Sequence, residues 1–369
     1  KINREWYLDK LWACWKGKSI GGTMGAPYEA SIEMQDISGF NSPKGQPIPN
    51  DDLDLQLIWL CAVEERGIQN ITPETLGEYW ISYIPPHWNE YGICKANMKL
   101  GVRPPFSGEY NNEIWKKSNG AWIRTEIWAC LFPGFPQLAV KYAYNDACVD
   151  HGVTDGTYAA MFVAAMESSA FLEKDVQKLI ETGLSYIPEN CRVAQSVRLA
   201  QKCYKDGVPF REARAAIVED SKDLGWFQAP ANVAFVILGL LYGEGDYKKS
   251  MIYAIDCGDD TDCTGATIGS LMGIMYGGSY VPEDWAEYVG DEILSVAIDL
   301  SYLSRPTSCT ELTRRIYELV PSAMKAYGMY TEYTDGPNEW EEIPQPFRFY
   351  EPFTPAEEGY KPPIKGIRN

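Results

Sequence analysis

Two segments of the chain carry a glycine at every fourth residue, and this spacing restricts the fold more than any other feature of the sequence. The first stripe comprises Gly17, Gly21 and Gly25, and the second comprises Gly265, Gly269, Gly273 and Gly277. Residues four apart share one face of an α-helix, and each interior glycine costs about 1 kcal/mol relative to alanine. The stripes therefore predict helices that approach a ligand or another helix at backbone distance, and tight helix–helix packing is the simpler interpretation.

The rest of the chain also follows a helical pattern. Apolar residues recur at spacings of three and four over the segments 6–26, 54–66, 135–147, 156–173, 194–205, 230–242, 265–277, 292–303 and 309–326. This is the pattern of helices with one buried face, and alternating strand patterns are scarce. We therefore predict an all-α domain over residues 1–328. The segment 85–119 is rich in proline, glycine and asparagine, which indicates a long loop that forms part of a binding-site wall.

Residues 329–369 differ in composition from the helical part. Seven prolines between Pro337 and Pro363 forbid a continuous helix. Aromatic residues such as Trp340 and Phe349 supply apolar surface for packing. We predict an extended arm that packs on the helical domain, or the start of a further module.

The composition argues against several functional classes. The net charge of −18 repels nucleic-acid phosphates, and no run of about 18 apolar residues predicts a membrane span. With only two histidines, His87 and His151, a histidine-rich zinc site is excluded. Ten cysteines without a CxxC pair indicate buried free thiols and favour the reducing cytoplasm. Because the sequence begins at Lys1 and not at methionine, N-terminal processing stays open and the localisation is an inference.

Two short acidic segments stand at the beginnings of predicted helices. Asp260 and Asp262 precede the second glycine stripe, and Asn50, Asp51 and Asp52 precede the apolar run 55–60. Helical residues two apart point about 200° away from each other, so Asp260 and Asp262 can converge only in a turn or at a helix N-terminus. Neighbouring carboxylates repel each other unless a cation is bound, and oxygen ligands select hard ions such as Mg²⁺, Mn²⁺ or Ca²⁺. The alternative for each segment is a solvated acidic helix cap.

Two other metal motifs overlap Asp260. An EF-hand loop that started there would need glutamate at its twelfth position, where the chain has Leu271, so this motif is excluded. The residues 260–264 also fit the DxDxT signature of haloacid-dehalogenase-like phosphatases. That family places its signature early in the chain and directly after a strand, so a metal-dependent phosphatase is the runner-up interpretation.

Several motifs, taken in order, resemble those of the ADP-ribosylglycohydrolase superfamily. Residues 17–29 are similar to the family's glycine-rich helix that ends in G-x-P-x-E, residues 50–53 to its T-D-D-T step, and residues 258–263 to its G-G-D-T-D-T step. Residues 119–124 resemble its N-G-A-x-x-R loop, and residues 150–151 resemble its histidine-bearing segment. The resemblance covers roughly residues 10–280. It implies a compact, mostly orthogonal multi-helix domain with a metal site at its centre.

The resemblance also implies roles for individual residues. A pair of divalent cations, Mg²⁺ or Mn²⁺, would be held by Asn50, Asp51, Asp52, Asp260, Asp262 and Cys263. Glu29 would act as the general base. The substrate pocket would be lined by Asn119, Gly120, Arg124 and His151, with a structural hydrogen-bonding role as the alternative for His151.

The chain departs from the family pattern at four positions. Asn50 and Leu53 stand where the family has threonines around the first aspartate pair, and Gly22 replaces an acidic residue. Cys263 stands where the family has a threonine ligand, although Thr264 is adjacent. The amide oxygen of Asn50 can still coordinate a metal, whereas a thiol is a poor ligand for Mg²⁺.

These observations predict a metal-dependent hydrolase that cleaves a glycosidic bond at the anomeric carbon of ADP-ribose or of a related ribosyl or pentofuranosyl substrate. The substrate is a small molecule or an ADP-ribosylated side chain. The phosphatase is one alternative, and a non-catalytic, crystallin-like sugar-binding relative is another. Neither nucleic acid nor a membrane is expected as a partner, and the sequence leaves the oligomeric state open.

Overall fold

The computed structural model describes residues 1–301 and 304–340. Within these residues the chain forms fifteen α-helices and one two-stranded parallel sheet, which confirms the predicted all-α class. The helices are α1 (Arg4–Gly25), α2 (Asp51–Arg66), α3 (Pro73–Tyr83), α4 (Asn89–Lys99), α5 (Glu126–Leu131), α6 (Pro136–His151), α7 (Asp155–Ala170), α8 (Val176–Leu184), α9 (Arg192–Lys205), α10 (Phe210–Ser221), α11 (Ala229–Gly243), α12 (Tyr247–Asp256), α13 (Thr261–Tyr276), α14 (Glu283–Val289) and α15 (Cys309–Lys325). The strands are β1 (Ile2–Asn3) and β2 (Tyr333–Thr334).

Eight of the nine segments predicted to be helical contain a helix, and the ninth, 292–303, has none over its described residues. There the carboxylate of Asp54 accepts hydrogen bonds from the backbone N–H groups of Val296 and Ala297, each at 2.7 Å. These bonds hold the segment in an irregular conformation. Ile293 and Ile298 are nevertheless buried, so the apolar spacing reflects burial and not a helix. The prediction for this segment was wrong.

The segment 85–119 was expected to be a loop, and that prediction was wrong for its first part, which forms α4. The part from 100 to 119 is irregular apart from one short turn of 3₁₀-helix, and side chains hold its backbone. The amide of Asn97 donates to the carbonyl oxygens of Ser107 and Tyr110 at 2.8 and 2.7 Å. The amide of Asn112 donates to the carbonyl oxygen of Asp150 at 3.0 Å. The loop is therefore fixed against α4 and α6.

The centre of the fold is the antiparallel packing of α1 against α13. The backbones face each other in the pairs Gly17 and Gly269, Gly21 and Gly265, and Gly25 and Thr261. In each pair a Cβ atom added to the first residue would clash with the carbonyl oxygen of the second. Gly277 has another role, since it caps the C-terminus of α13 with a φ of +86°, a conformation that favours glycine. The stripes thus serve helix–helix packing, and they bring the end of α1 to the beginning of α13.

The described part of the C-terminal segment packs on the helices. Strand β2 pairs with β1, and the ring of Tyr333 stacks on that of Tyr317 with the centroids 3.9 Å apart. The ring of Trp340 lies 5.7 Å from Phe135 and 6.5 Å from Trp6. Residues 341–369 of the predicted arm lie outside the described residues, so the boundary at residue 328 stays a prediction.

All ten cysteines are buried and free, as their apolar sequence contexts predicted. Over the described ranges, the helices lack the combination of length and apolarity that a membrane span requires. The cytoplasmic localisation stays a prediction.

Candidate active site

A cleft of about 500 Å³ opens where the end of α1 and the beginnings of α2, α4 and α13 come together. Eight of the residues singled out in the sequence line it: Glu29, Asn50, Asp51, Asn119, Gly120, Asp260, Asp262 and Cys263. Eleven further residues line it, and among them Trp88, Glu90, Tyr91, Ser118 and Phe227 were not singled out in the sequence. The first four of these lie in the segment 85–119, which was expected to form part of a binding-site wall.

The cleft has two walls that differ in the chemistry of their side chains. The aspartate wall consists of Glu29, Asp51, Asp260 and Asp262. The α4 wall consists of Trp88, Glu90 and Tyr91 from the beginning of α4, together with Ser118.

A tight turn places the second acidic segment at the start of α13. Gly258 and Asp259 have φ values of +79° and +69°, and Asp260 is the N-cap residue. The carboxylate of Asp259 accepts hydrogen bonds from the N–H of Phe227 at 2.8 Å and from the amide of Asn232 at 3.2 Å. The oxygen of that amide accepts the N–H of Asp260 at 3.2 Å. Helix α12 and this turn precede Asp260, in place of the strand that the phosphatase signature requires.

The first acidic segment caps α2, and its aspartates point in different directions. The side-chain oxygen of Asn50 accepts the N–H of Asp52 at 2.7 Å, which makes Asn50 the N-cap. Asp51 faces the cleft, where the hydroxyl of Tyr91 donates to it at 3.2 Å. Asp52 is fully buried and accepts a weak hydrogen bond from the thiol of Cys263 at 3.3 Å.

Two groups of side chains at the aspartate wall have the spacing of metal ligands. In the first, oxygen atoms of Glu29, Asp260 and Asp262 lie within 4.8 Å of one another. In the second, the same holds for atoms of Asp52, Asp262 and Cys263. Thr264 belongs to neither group, because its hydroxyl donates to backbone carbonyl oxygens of α12 and α13. The two aspartate segments, some two hundred residues apart in sequence, therefore meet in space.

The carboxylates of this wall are crowded, and their mutual repulsion disfavours the ionised form of each. Glu29 is open to the cleft, but partial burial and the carboxylates of Asp262 and Asp51 raise its pKa to about 8. Burial, followed by repulsion from Asp262, raises the pKa of Asp51 to about 7. Burial is also the main reason why the pKa values of Asp52 and Asp260 lie well above the usual aspartate range. A cation bound at this wall would relieve the repulsion.

Behind the aspartate wall lies a buried lysine that the sequence analysis missed. The ammonium group of Lys18 donates to a carboxylate oxygen of Glu126 at 2.8 Å and lies 3.9 Å from Oδ2 of Asp52. Glu126 also accepts hydrogen bonds from Gln56 at 2.8 Å and from Ser270 at 2.9 Å. Burial lowers the pKa of Lys18, but the carboxylates of Glu126 and Asp52 raise it by more, so the ammonium form is favoured. The signal in the sequence was a lysine next to a glycine of the first stripe.

Arg124 was expected to line the pocket, but it is fully buried beneath the α4 wall. Its guanidinium donates to both carboxylate oxygens of Asp150 at 2.9 and 2.7 Å, and its Nε donates to Asp146 at 2.9 Å. It also donates to the carbonyl oxygen of Gly120 at 2.5 Å, which fixes the loop that does line the cleft.

His151 is likewise buried beneath the α4 wall. Its Nδ1 lies 3.0 Å from a carboxylate oxygen of Asp150, and its Nε2 lies 3.0 Å from the hydroxyl of Ser118 and 4.0 Å from Glu90. Burial opposes the charge of Asp150, but Arg124 and His151 outweigh it and lower the pKa of Asp150 to about 2. His151 therefore does not line the cleft itself but lies behind Ser118 and Glu90, which do.

The loop 119–120 connects the two walls. The amide of Asn119 donates to Oδ2 of Asp260 at 2.6 Å, and the indole N–H of Trp122 donates to the oxygen of that amide at 2.9 Å. A side chain at Gly120 would clash with the carboxylate of Glu90. A side chain at this position would therefore displace the carboxylate of Glu90 from its present place.

Comparison with known proteins identifies the family. The sequence profile of the ADP-ribosylglycohydrolase family matches residues 3–312, so the chain belongs to this family, as the motifs predicted. A solved structure described as an "ADP-ribosylglycohydrolase-related protein complex" has the same fold, with a TM-score of 0.56 at 19% sequence identity over 87% of this chain and 100% of that one. No curated protein matches the sequence. Family membership supports a glycohydrolase-type activity on ADP-ribose-related substrates.

Proposed function

We propose that the chain is a metal-dependent glycohydrolase that cleaves the bond at the anomeric carbon of ADP-ribose or of a related ribosyl or pentofuranosyl group. The observation that carries this proposal is the convergence of Glu29, Asp260 and Asp262 in the cleft, with Asp51 beside them. A volume of about 500 Å³ is typical of small-molecule sites. Family membership supports the cleavage of a glycosidic bond, and the converging carboxylates support the binding of a metal ion.

The aspartate wall fits a hard divalent cation. Asp262 Oδ1 is buried and has no hydrogen-bond partner within the described part of the chain. Such atoms are costly unless something binds them. Because the converging ligand atoms are mainly carboxylate oxygens, Mg²⁺ or Mn²⁺ is the proposed ion. When bound, the ion stabilises developing negative charge on oxygen and orients the hydroxyl groups of the sugar.

The proposed ligands are Asp51, Asp260 and Asp262, each of which lines the cleft. Asn50 and Cys263, which the resemblance also implies as ligands, make hydrogen bonds that support Asp52. We therefore assign them the positioning of that aspartate. Asn119 holds Asp260 in place through the hydrogen bond at 2.6 Å.

Glu29 is the proposed general base. It stands at the end of α1, open to the cleft and next to Asp262. It would take a proton from the water that attacks the anomeric carbon, while the bond from that carbon to the leaving group breaks in an oxocarbenium-like transition state. The leaving group would take up one proton from solvent as it departs, and Glu29 would release its proton to solvent afterwards.

The lining of the cleft favours a neutral sugar over a diphosphate. Lysine and arginine are absent from the described residues that line it, so no side-chain cation would pair with phosphate. Trp88 and Phe227 present aromatic surface on which a sugar ring or a nucleobase could pack. Glu90, Ser118 and Asn119 offer polar groups for hydroxyls. A pentofuranosyl group is therefore preferred within the proposed substrate class.

The test is a metal-supplemented screen of the full chain across ADP-ribosyl and pentofuranosyl substrates, repeated after treatment with a chelator. We expect hydrolysis with Mg²⁺ or Mn²⁺ and none after chelation. Asp260→Asn and Asp262→Asn should lose metal binding and activity, whereas Asp284→Asn, a surface substitution at the Lys248 ion pair, should change neither. Equal rates with and without metal would refute the proposal. Release of phosphate without glycoside cleavage would favour the phosphatase instead.

A further inference from the structure

The two groups of possible metal ligands at the aspartate wall are not equivalent. The first offers carboxylate oxygens from Glu29, Asp260 and Asp262, with Asp51 lining the same cleft. In the second, Cys263 offers sulfur in place of one oxygen. Mg²⁺ and Mn²⁺ prefer oxygen over sulfur. The second group is therefore the poorer site for such an ion, on the nature of its ligand atoms alone.

Lys18 adds a fixed positive charge to the second group only. Its ammonium group lies 3.9 Å from Oδ2 of Asp52, while the other oxygen of Asp52 accepts the hydrogen bond from the thiol of Cys263. Both oxygens of this buried carboxylate therefore face groups of the chain itself. Asp52 does not line the cleft, in contrast to the acids of the first group.

The ammonium group of Lys18 is held firmly where it is. Lys18 is 1% exposed, and it donates at 2.8 Å to Glu126, which is itself fully buried. Glu126 is fixed in turn by hydrogen bonds from Gln56 and Ser270. A swing of the lysine into solvent would leave this carboxylate buried without a counter-charge, which is strongly unfavourable.

We propose that Lys18 is a built-in cation that takes the place of a second metal ion, so that the chain binds one divalent cation at Asp51, Asp260 and Asp262 and not the pair that the family resemblance implies. An ion bound through Asp52 would bring its double positive charge next to the ammonium group, and like charges at short range repel in a buried environment. Lys18 is thus a positioning residue that acts through Asp52. The inference rests on the proposed metal site.

The number of bound ions tests the proposal directly. The full chain, freed of metal by a chelator, would be titrated with Mn²⁺ alone, and bound and free ion would be counted by electron paramagnetic resonance. We expect one Mn²⁺ per chain, with the spectrum of an isolated ion. Two ions per chain with a spin-coupled spectrum would overturn this inference and leave the proposed function intact. Failure to bind any Mn²⁺ would overturn both.

Removal of the lysine charge provides the second test. In Lys18→Met, we expect a second Mn²⁺ to bind at least about tenfold more tightly than it does to the unchanged chain. The matched control is Lys16→Met on the same helix, since Lys16 is also buried but donates to the carbonyl oxygen of Gly290. For this control variant we expect one bound Mn²⁺ per chain, as in the unchanged protein. A purely structural role of Lys18 would change the stability but not the number of ions.

Two further variants keep the test decisive. Because Lys18→Met leaves Glu126 buried and unpaired, the double variant Lys18→Met/Glu126→Gln removes both charges and restores neutrality. A folded double variant that still binds a single Mn²⁺ would overturn the proposal. The single substitution Cys263→Thr replaces the sulfur ligand atom by oxygen. We expect this variant to bind one Mn²⁺ per chain, because the ammonium group of Lys18 remains. A second ion in this variant would assign the restriction to the thiol and refute the role of Lys18.

Discussion

The two walls of the cleft treat buried charge in opposite ways. Beneath the α4 wall, Arg124 is hydrogen-bonded to both Asp146 and Asp150, and Nδ1 of His151 lies 3.0 Å from Oδ1 of Asp150. At the aspartate wall, Asp262 Oδ1 has no hydrogen-bond partner within the described residues. Buried charge is tolerated when it is paired and costly when it is not. The Arg124 charge beneath the α4 wall is thus paired by carboxylates of the chain itself, although Oε2 of Glu90 also lacks a hydrogen-bond partner among the described residues. The aspartate wall has no such internal cation facing the cleft, and it is the proposed site of a bound one. This difference separates the proposed catalytic and metal-binding residues of the aspartate wall from the ion-paired residues beneath the α4 wall.

The largest expected effect is on catalysis at the aspartate wall. Glu29→Gln keeps a side-chain oxygen next to Asp262 but cannot take up a proton. We expect kcat to fall by about 10²–10⁴, the usual contribution of a general base, while the thermal midpoint and Mn²⁺ binding stay close to those of the unchanged chain. Steady-state kinetics and metal titration on the same preparation check this. An unchanged kcat would assign the base to another residue.

The α4 wall should show the opposite pattern, with a large effect on stability. Arg124→Met leaves Asp146 and Asp150 buried without their partner, so we expect the free energy of unfolding to fall by about 3–5 kcal/mol. Arg314→Met is the control, because Arg314 pairs with Glu318 on the surface of α15 and such pairs contribute only about 0.3–0.5 kcal/mol. Urea denaturation measures both. Similar losses in the two variants would show that the α4 wall does not depend on this buried pair.

A smaller effect is expected for a substitution in the contact between α1 and α13, because this contact sets the positions of the residues in the aspartate wall. In Gly269→Ala the added methyl group would clash with the backbone of Gly17, and overpacking of this kind costs about 1–3 kcal/mol. Since α1 and α13 bring Glu29 to Asp260, we also expect weaker Mn²⁺ binding. Gly336→Ala is the control, because its Cβ meets only Thr334 at 3.5 Å. Loss of stability with unchanged metal affinity would separate the packing from the site.

The aspartate wall was predictable from the sequence because its signals are local. Asp51 and Asp260 stand at helix starts that short-range patterns indicate, and the glycine spacing predicted the contact that joins them. The α4 wall lies in the segment 85–119, which the composition predicted as part of a binding-site wall, but Glu90 and Tyr91 were not singled out because this segment has no clear period. The burial of Arg124 was not predictable either, since its partners Asp146 and Asp150 lie 22 and 26 residues away.

Long-range contacts explain the other differences between sequence and structure. The apolar spacing of 292–303 predicted a helix, but Asp54, more than 240 residues earlier, holds the backbone of this segment. Lys18 was overlooked because a lysine on a helix is usually exposed. Only its contacts with Glu126 and Asp52, on other elements, reveal it as buried charge. Periodicity reports that a residue is buried, and it does not identify the partner that compensates its charge.

The smallest expected effect concerns Tyr91, the residue that joins the two walls. Its hydroxyl donates to Asp51 at 3.2 Å, and partners that orient a metal ligand typically contribute 10–100-fold in affinity. This bond is long, so we expect Tyr91→Phe to weaken Mn²⁺ binding by about tenfold, without a change in stability beyond about 1 kcal/mol.

Tyr242→Phe is the matched control, because its hydroxyl donates to the carbonyl oxygen of Val208 at 2.7 Å and has no contact with the cleft. Titration with Mn²⁺ compares the two variants. If Tyr91→Phe binds the ion as tightly as the control does, Asp51 needs no support from the α4 wall. The aspartate wall would then be positioned by α1, α2, α13 and Asn119 without help from α4. The division between the two walls would be sharper than the hydrogen bond of Tyr91 suggests.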